Sequence, residues 1–277
     1  MVCNASATLA ASDPLDEAGL WIDTVEDIDE GPGDEAPKDS ARKWALSIGV
    51  NGGFSPDYEG SNNYSFDYSP NIAASWRDTI FYKGKTLGVN LVRQKKLKAG
   101  LTISQASGRN EDDNDRLKGL GDVNGSVEAG GFITYRKKPY RFKADVRQDI
   151  GSGHEGALVA LSGGRNLPFE SLPVSVELGT TWASANYMSS FFGVDAQQSM
   201  DSGLKRYNAN AGFKDVKISM TAGYKITTRW RVGGTIEYKR LVGDAADSPI
   251  VDDKNQFLAG LSLSYHMGSK ILPEELQ

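Results

Sequence analysis

The feature that most constrains this chain is an alternation of apolar and polar residues with a period of two. In the first such segment Trp44, Leu46, Ile48 and Val50 share one face, and small or polar residues share the other. Comparable segments cover residues 64–76, 97–104, 123–135, 140–150, 172–179, 216–224, 230–238 and 257–265. Because successive side chains of a strand point to opposite faces, this pattern predicts an all-β fold.

Two architectures are compatible with many amphipathic strands. A soluble sandwich buries the apolar face between two sheets, whereas a transmembrane barrel turns that face towards lipid and fills its lumen with polar side chains. Segment length near that of a tilted membrane strand and a polar face rich in small and charged residues favour the barrel. The segment ends are also aromatic, as at Trp44, Tyr64, Trp76, Tyr135, Tyr140, Trp182, Trp230, Tyr238 and Tyr265. We therefore predict an antiparallel transmembrane β-barrel.

The connections provide a second test, because outer-membrane barrels have short periplasmic turns and long external loops. If the chain starts inside, the connections 54–63, 106–121, 151–156, 183–213 and 241–256 are external, and 77–78, 93–96, 136–139, 164–171 and 225–229 are periplasmic. A short external hairpin must then be placed at Lys83-Gly84-Lys85. This division predicts twelve strands, with ten as the alternative.

The two ends of the chain differ from the barrel segment. Residues 1–40 hold eleven Asp or Glu and one Lys, and their lack of periodicity predicts a flexible acidic arm. The first residues, MVCNASATLAASDP, have the small-residue character of a signal-peptide cleavage region, with an ordinary cytosolic terminus as the alternative. The predicted units are therefore this arm, a barrel over 41–267 and a carboxy-terminal tail over 268–277.

Composition excludes several classes of function. One Cys rules out an intrachain disulfide, and two His rule out a His-rich metal site. The acidic run RNEDDND (109–115) does not follow the EF-hand order of ligands, so a solvated loop is favoured over a weak Ca²⁺ site. No basic stripe with interleaved aromatics indicates nucleic acid, and no motif indicates a cofactor.

Four segments resemble the signature segments of the MltA-interacting protein/OmpV family of outer-membrane proteins. They are PDYEGS (56–61), LKGLGDVNGSVEAGGF (117–132), DIGSGHEG (149–156) and GDAADSPIV (243–251). The family-motif loop residues are Pro56, Asp57, Tyr58, Gly60, Ser61, Gly119, Gly121, Asp122, Gly153, His154, Gly156, Gly243, Asp244, Ala246, Asp247, Ser248 and Pro249. The resemblance implies an integral, lipid-embedded barrel of a Gram-negative outer membrane, without enzymatic activity, cofactor or metal.

Individual motif residues are given structural roles. Pro56 and Gly60 suit a rigid turn in which Asp57 and Ser61 accept backbone N–H bonds. Four aromatic residues around this turn are expected at the lipid–water boundary, namely Tyr58, Tyr64, Phe66 and Tyr68. In the last motif, Asp244 and Asp247 are expected to accept local backbone amides, and Ile250 and Val251 to pack against neighbouring loops. Six basic residues are expected to face the lumen, namely Arg141, Lys143, Arg147, Arg229, Arg231 and Lys239.

Three functions remain open at this point. The resemblance implies a surface protein or a scaffold that joins a lytic transglycosylase to a murein synthase. A barrel of this size also allows a narrow channel for small polar solutes. The third possibility is a hydrolase that uses His154, although no Gly-x-Ser-x-Gly nucleophile elbow supports it and a histidine in a Gly-rich loop is expected at the surface.

Overall fold

The protein, described by a computed structural model over residues 42–167, 169 and 172–270, is a closed antiparallel barrel of twelve strands. Each strand pairs with its neighbours in the chain, and β1 closes the barrel by pairing with β12. The strands are β1 (Arg42–Pro56), β2 (Tyr64–Trp76), β3 (Ile80–Lys83), β4 (Thr86–Arg93), β5 (Leu97–Ala106), β6 (Ser126–Lys137), β7 (Tyr140–Asp149), β8 (Ala157–Leu167), β9 (Val174–Ala183), β10 (Gly212–Lys225), β11 (Trp230–Leu241) and β12 (Asn255–Lys270). The prediction of twelve strands is confirmed, and the alternative of ten is wrong.

The outer face of the barrel is apolar and the inner face is polar. In β12, Leu261 is 67% exposed on the outside, whereas the neighbouring Ser262 is 4% exposed on the inside. The same alternation runs along β2 and β11. Since lipid surrounds such a barrel, the exposed apolar side chains form its membrane face.

Aromatic side chains form a belt at each rim of this face. One belt contains Trp44, Trp76, Tyr135, Tyr140, Tyr224 and Trp230, and the other contains Phe54, Tyr64, Phe66, Phe213 and Phe257. Amphipathic rings favour the lipid–water boundary, so the two belts mark the depth of the membrane. Six of the nine predicted aromatic strand ends lie in these belts, including Tyr64 near the 56–61 turn, where Phe66 also lies. The other three, Trp182, Tyr238 and Tyr265, are only partly exposed.

Long and short connections are segregated to opposite ends of the barrel, as predicted. The loop end carries 57–63, 84–85, 107–125, 150–156, 184–211 and 242–254, and the turn end carries 77–79, 94–96, 138–139, 226–229 and the described part of the β8–β9 connection, residues 169 and 172–173. The short hairpin at residues 84–85 preserves this order, and Gly84 has a φ of +59°, which glycine adopts without strain.

The loops fold onto one another as a "loop cap", defined here as residues 57–63, 107–125, 150–156, 184–211 and 242–254. It contains α1 (Ala185–Phe192), α2 (Ala196–Ser202), α3 (Gly243–Ala246) and two single 3-10 turns at Glu111–Asp113 and Asp115–Leu117. Among the described residues, no helix is both long enough and apolar enough to cross a membrane.

The lumen contains paired polar side chains. Asn71 Nδ2 donates to Asn51 Oδ1 at 3.0 Å, and Arg141 Nη2 lies 3.1 Å from Glu177 Oε2. Arg147 pairs with Glu128 at 3.2 Å. These contacts agree with the predicted inward direction of Arg141 and Arg147.

Some sequence expectations fail at boundaries. Arg229 lies in the turn 226–229, where its Nη1 donates to Tyr265 Oη at 2.7 Å, so it does not face the lumen. Val123 precedes β6 because it pairs with Arg109 in an isolated bridge. The strand β12 continues to Lys270, beyond the predicted end at residue 267. The predicted arm 1–40 and residues 271–277 lie outside the described residues.

Candidate functional site

An apolar cluster joins four loops of the cap across the barrel mouth. It consists of Tyr58, Leu117, Leu120, Val194 and Ile250, none of them more than 3% exposed. The loop between β5 and β6 and the loop between β11 and β12 stand on opposite sides of the barrel, and both contribute. The prediction that Ile250 packs against neighbouring loops is confirmed. Tyr58 is not at the lipid boundary, because its hydroxyl donates to the Ile250 carbonyl at 3.0 Å inside the cap.

A second apolar cluster supports the first from the side of the helices. Met188 and Phe192 of α1 pack there with Leu241 at the end of β11 and with Ala245 and Ala246 of α3. Burial of these side chains orders the β9–β10 loop against the β11–β12 loop. The motif residue Ala246 therefore belongs to the packed interior of the cap.

The turn after β1 is built around Gly60, whose φ is +109°. Its N–H donates to Gln256 Oε1 at 3.1 Å, and its carbonyl accepts from the amides of Asp252 and Asp253 at 2.8 and 3.0 Å. A Cβ at this position would lie 2.6 Å from Val251 Cγ2. Gly60 thus fixes the approach of the turn to the β11–β12 loop, as its predicted positive φ requires.

The other residues of the PDYEGS segment have mixed outcomes. Pro56 ends β1 as the last residue before the turn. Ser61 Oγ accepts the Asn63 N–H at 3.0 Å, which confirms its predicted role. Asp57 Oδ2 instead accepts from the side chain of Asn114, in the loop between β5 and β6, at 3.0 Å.

Residues 117–122 fold back against the acidic run 109–115. Gly119 and Gly121 have φ values of +80° and +69°, and their N–H groups both donate to Glu111 Oε2 at 3.0 Å. Asp122 Oδ1 in turn accepts the Glu111 N–H at 2.9 Å. The acidic side chains are therefore used as internal acceptors. No group of three or more His, Cys, Asp or Glu side chains arranged to hold a metal occurs among the residues described.

His154 is buried in the cap, in contrast to its expected surface position. It is 3% exposed, and its ring meets the Tyr187 ring edge-on with centroids 4.9 Å apart. Gly156 N–H donates to Nδ1 at 3.0 Å, so Nε2 carries the proton that faces Glu128 Oε1 at 3.2 Å. Both ring nitrogens are therefore occupied, and neither is open to take a proton from a nucleophile.

Glycines make this burial possible. A Cβ on Gly153 would lie 2.6 Å from Ser126 Cβ, and one on Gly156 would lie 2.5 Å from the Tyr187 amide nitrogen. Asp149 accepts the N–H groups of Gly151, Gly153 and Glu155 at 2.7 to 3.2 Å. The DIGSGHEG segment is thus a tight turn wrapped around one carboxylate.

The GDAADSPIV segment is structured, as predicted, but its contacts are longer in range. Gly243 has a φ of +55° at the start of α3. Asp244 Oδ2 accepts the Asn210 N–H at 2.8 Å, and this contact lowers the pKa of the Asp244 carboxyl. Asp247 pairs with Lys254 at 3.1 Å, so neither aspartate accepts a local amide as predicted.

The end of the same segment is tied to other loops. Ser248 Oγ donates to the Phe192 carbonyl at 2.7 Å, and the Pro249 carbonyl accepts from Arg116 Nη2 at 2.6 Å. Arg116 Nε also lies 3.3 Å from Asp252 Oδ1. A single arginine thus joins two loops that stand on opposite sides of the mouth.

The loop cap also contains a buried ion-pair cluster centred on Glu59. Lys214 Nζ lies 2.6 Å and Lys239 Nζ 3.4 Å from Glu59 Oε1, and Lys214 also pairs with Asp215 at 3.2 Å. Burial alone raises the pKa of Glu59, but the attraction of the two lysines outweighs it and lowers the pKa well below its ordinary value. The cluster joins the β1–β2 loop to β10 and β11.

The site residues predicted from the sequence do not include Glu59, Arg109, Arg116 or Lys214. Glu59 could have been identified from the sequence because it lies inside the PDYEGS motif. The other three lie in segments without periodicity or at a strand end, and only the folded loops bring them together.

Comparison with known proteins gives one family for most of the chain. A family model described as "MltA-interacting protein MipA" matches residues 48–267. The MltA-interacting protein of Escherichia coli K12 is 33% identical over 94 residues, which are 34% of this chain and 38% of that protein. The outer membrane protein OmpV of Vibrio cholerae is 37% identical over 92 residues, 32% of this chain and 34% of that protein. The matches therefore span little more than a third of these two relatives.

A longer match is found with the putative outer membrane protein YiaT of Escherichia coli K12. It is 24% identical over 221 residues, which are 79% of this chain and 89% of that protein. Among solved structures, the COG4313 outer membrane channel from Pseudomonas putida F1 is similar with a TM-score of 0.40 and 12% identity, over 86% of this chain and 100% of that chain.

Proposed function

This chain belongs to the MltA-interacting protein MipA family, and from that premise we propose that it is a non-enzymatic scaffold for enzymes that synthesise and hydrolyse murein. It is an outer-membrane β-barrel of the MipA/OmpV type. The candidate partners are a lytic transglycosylase and a murein synthase. The Escherichia coli relative carries the name MltA-interacting protein.

The observation that carries the proposal is the contrast between the two ends of the barrel. At the loop end, side chains from opposite loops meet across the mouth. At the turn end, exposed cations form a "basic collar" of Arg77, Arg93, Lys95, Lys96, Lys137, Lys138, Arg165 and Arg229. Short turns face the periplasm in outer-membrane barrels, so the basic collar faces the compartment that holds murein. A ring of like charge favours docking of an acidic protein surface.

The absence of enzymatic activity is supported by the contacts of His154. Its two ring nitrogens are bonded to Gly156 and Glu128, and no described serine hydroxyl is bonded to either. The residue fits a structural role in the cap better than that of a general base. Hydrolysis of lipid or peptide substrates that is lost in His154→Ala would contradict this part of the proposal.

The test is binding of the detergent-solubilised full-length protein to a purified lytic transglycosylase and a purified murein synthase. The variant Lys95→Glu/Lys137→Glu reverses charge in the basic collar, and we expect it to weaken binding at least about tenfold. Lys118→Glu in the loop cap is the matched control and should bind like the wild type. Equal binding by both variants, or no binding of either enzyme to the wild type, would remove the support for the scaffold.

A further inference from the structure

The turn end of the barrel is a patch of positive charge. All eight side chains of the basic collar are exposed, and they stand on four turns and near the ends of β4, β6 and β8. The acidic residue among the described turn residues is Asp78, and its carboxylate already lies 3.2 Å from Lys98 Nζ. The basic collar therefore presents an excess of positive charge to water.

The segment ahead of β1 carries the opposite charge. Residues 13–39, here called the "acidic segment", hold eleven Asp or Glu and one Lys, a net charge of −10. The rest of the chain has 30 Lys or Arg and 25 Asp or Glu, a net charge of +5. The charge of the acidic segment is thus complementary to that of the basic collar.

The acidic segment joins the barrel at the same end. The strand β1 begins at Arg42, and Trp44 pairs with Trp76, the residue just before the turn 77–79. Residues 13–41 can span at most roughly 100 Å, whereas a rim of twelve tilted strands spaced about 4.8 Å apart has a circumference of roughly 75 Å. The whole basic collar is therefore within reach, while the loop cap lies on the other side of the membrane face.

Covalent attachment makes weak charge pairs effective. A single exposed ion pair contributes little to stability, because water and salt screen it. The acidic segment, however, meets the basic collar as one tethered chain with many charges, so its effective concentration at the collar is high. Such a contact needs no fixed pairing of residues, but it depends strongly on ionic strength.

We propose that the acidic segment docks on the basic collar of its own barrel and covers it at low ionic strength. The contact itself does not depend on the scaffold function. One consequence does rest on that proposed function: the acidic segment would compete with an acidic surface of a murein enzyme for the same cations.

The test is the rate at which individual lysines of the full-length protein are acetylated in neutral detergent at low salt, measured by mass spectrometry. An intact-mass measurement first confirms that residues 13–39 are present. The comparison variant removes four negative charges from the densest acidic run without touching the barrel. It carries Glu26→Gln, Asp27→Asn, Asp29→Asn and Glu30→Gln.

We expect Lys95, Lys96 and Lys137 to react at least about threefold faster in the variant, because a docked segment covers them for most of the time. The wild type should reach the rates of the variant in about 1 M NaCl, where the Debye length is about 3 Å. Lys118, an exposed lysine of the loop cap, is the internal control and should react at the same rate in both proteins. Wild-type rates that do not respond to salt, or equal rates for the collar lysines in both proteins, would overturn the proposal.

Carbodiimide crosslinking of carboxylates to lysines identifies what covers the basic collar. In a mixture of ¹⁵N-labelled and unlabelled wild-type protein, we expect crosslinks from the acidic segment to collar lysines within one chain. Crosslinks only between labelled and unlabelled chains would place the segment on a second copy and overturn the proposal. Protection of the collar lysines that appears only after anionic phospholipid is added would overturn it in favour of a lipid surface. No murein enzyme is present, so failure of the scaffold function would leave these results unchanged.

Discussion

Single residues decide the geometry of the cap where backbone and side chains come closest. Gly60 has a positive φ, and its Cα faces Val251 of a loop from the other side of the β1–β12 seam. Residues with a Cβ disfavour this positive φ, and the Cβ itself would clash with Val251. The turn after β1 therefore depends on this glycine more than on its neighbours.

We predict that Gly60→Ala destabilises the folded barrel by about 1–3 kcal/mol, since the strain of φ > 0 adds to the contact with Val251. The measurement is the denaturant concentration at which half of the protein is unfolded, read from the loss of the heat-modifiable band of the folded barrel in SDS gels. Gly212→Ala is the control, because a Cβ there has no heavy atom within 4 Å. Equal midpoints for the two variants would contradict the role given to Gly60.

The pH response of the cap is predicted from Glu59. Its folded-state pKa is lowered from the ordinary 4.5, so its ion pairs stabilise the folded state above pH 4.5 and this contribution is lost as the pH falls further. The protection of residues 57–63 against hydrogen exchange, which is the intrinsic exchange rate at each pH divided by the observed rate, should therefore fall below pH 4.5. In Glu59→Gln exchange should already be faster at pH 7 and should lose the acid-dependent step. A wild-type loop that stays equally protected at pH 3 would argue against this assignment.

At the scale of the elements, the loops of the cap are held in place by contacts with one another. Arg116 lies in the β5–β6 loop and contacts Pro249 and Asp252 of the β11–β12 loop. Charge-assisted hydrogen bonds of this kind stabilise by about 1.5–3 kcal/mol. This one residue therefore couples two loops that the barrel itself holds apart.

We predict that Arg116→Ala loosens the cap without unfolding the strands. Limited proteolysis should cut within 107–125 at least about fivefold faster than in the wild type, because the loop loses its anchor. Lys118→Ala, whose partner Asp115 is exposed on the same loop, should leave the rate unchanged. If the strands also became protease-sensitive, the arginine would be stabilising the barrel and not only the cap.

For the whole molecule, the segregation of long and short connections predicts the orientation in the membrane. Cysteines introduced as Asp112→Cys and Gln197→Cys in a Cys3→Ala background should react with an impermeant thiol reagent on intact cells. Cysteines at Lys95 and Lys137, in the turn end, should react only after the outer membrane is opened. The reverse result would invert the barrel and place the basic collar outside the cell.

The joined loops also predict little ion conductance. Leu117 and Ile250 meet in one cluster from opposite sides of the mouth, and the ion pairs of Glu59 lie beneath them. The wild-type protein should therefore show no steady current in planar bilayers, whereas a variant lacking 107–125 should conduct. Steady conduction by the wild type would favour the channel function over the scaffold.

The barrel itself follows from local sequence because lipid and lumen impose the same rule on every strand. Each strand from Arg42 to Lys270 has lipid on one side and the polar lumen on the other. Apolar and polar residues therefore alternate along the strand, and this alternation can be recognised in the sequence. The even strand count and the grouping of long loops then follow from closure of the sheet. Gly60 also indicated a tight turn, because glycine adopts a positive φ without strain, and its φ is +109°.

The contacts of the cap could not be predicted this way. Tyr58 donates to Ile250, 192 residues away, and the surroundings of His154 and Arg109 come from three separate loops. Loop residues have no periodic environment, so their burial depends on which other loops reach the same point above the barrel. That is decided by closure of β1 on β12 and by the packing of the cap, which bring distant segments together only in the folded protein.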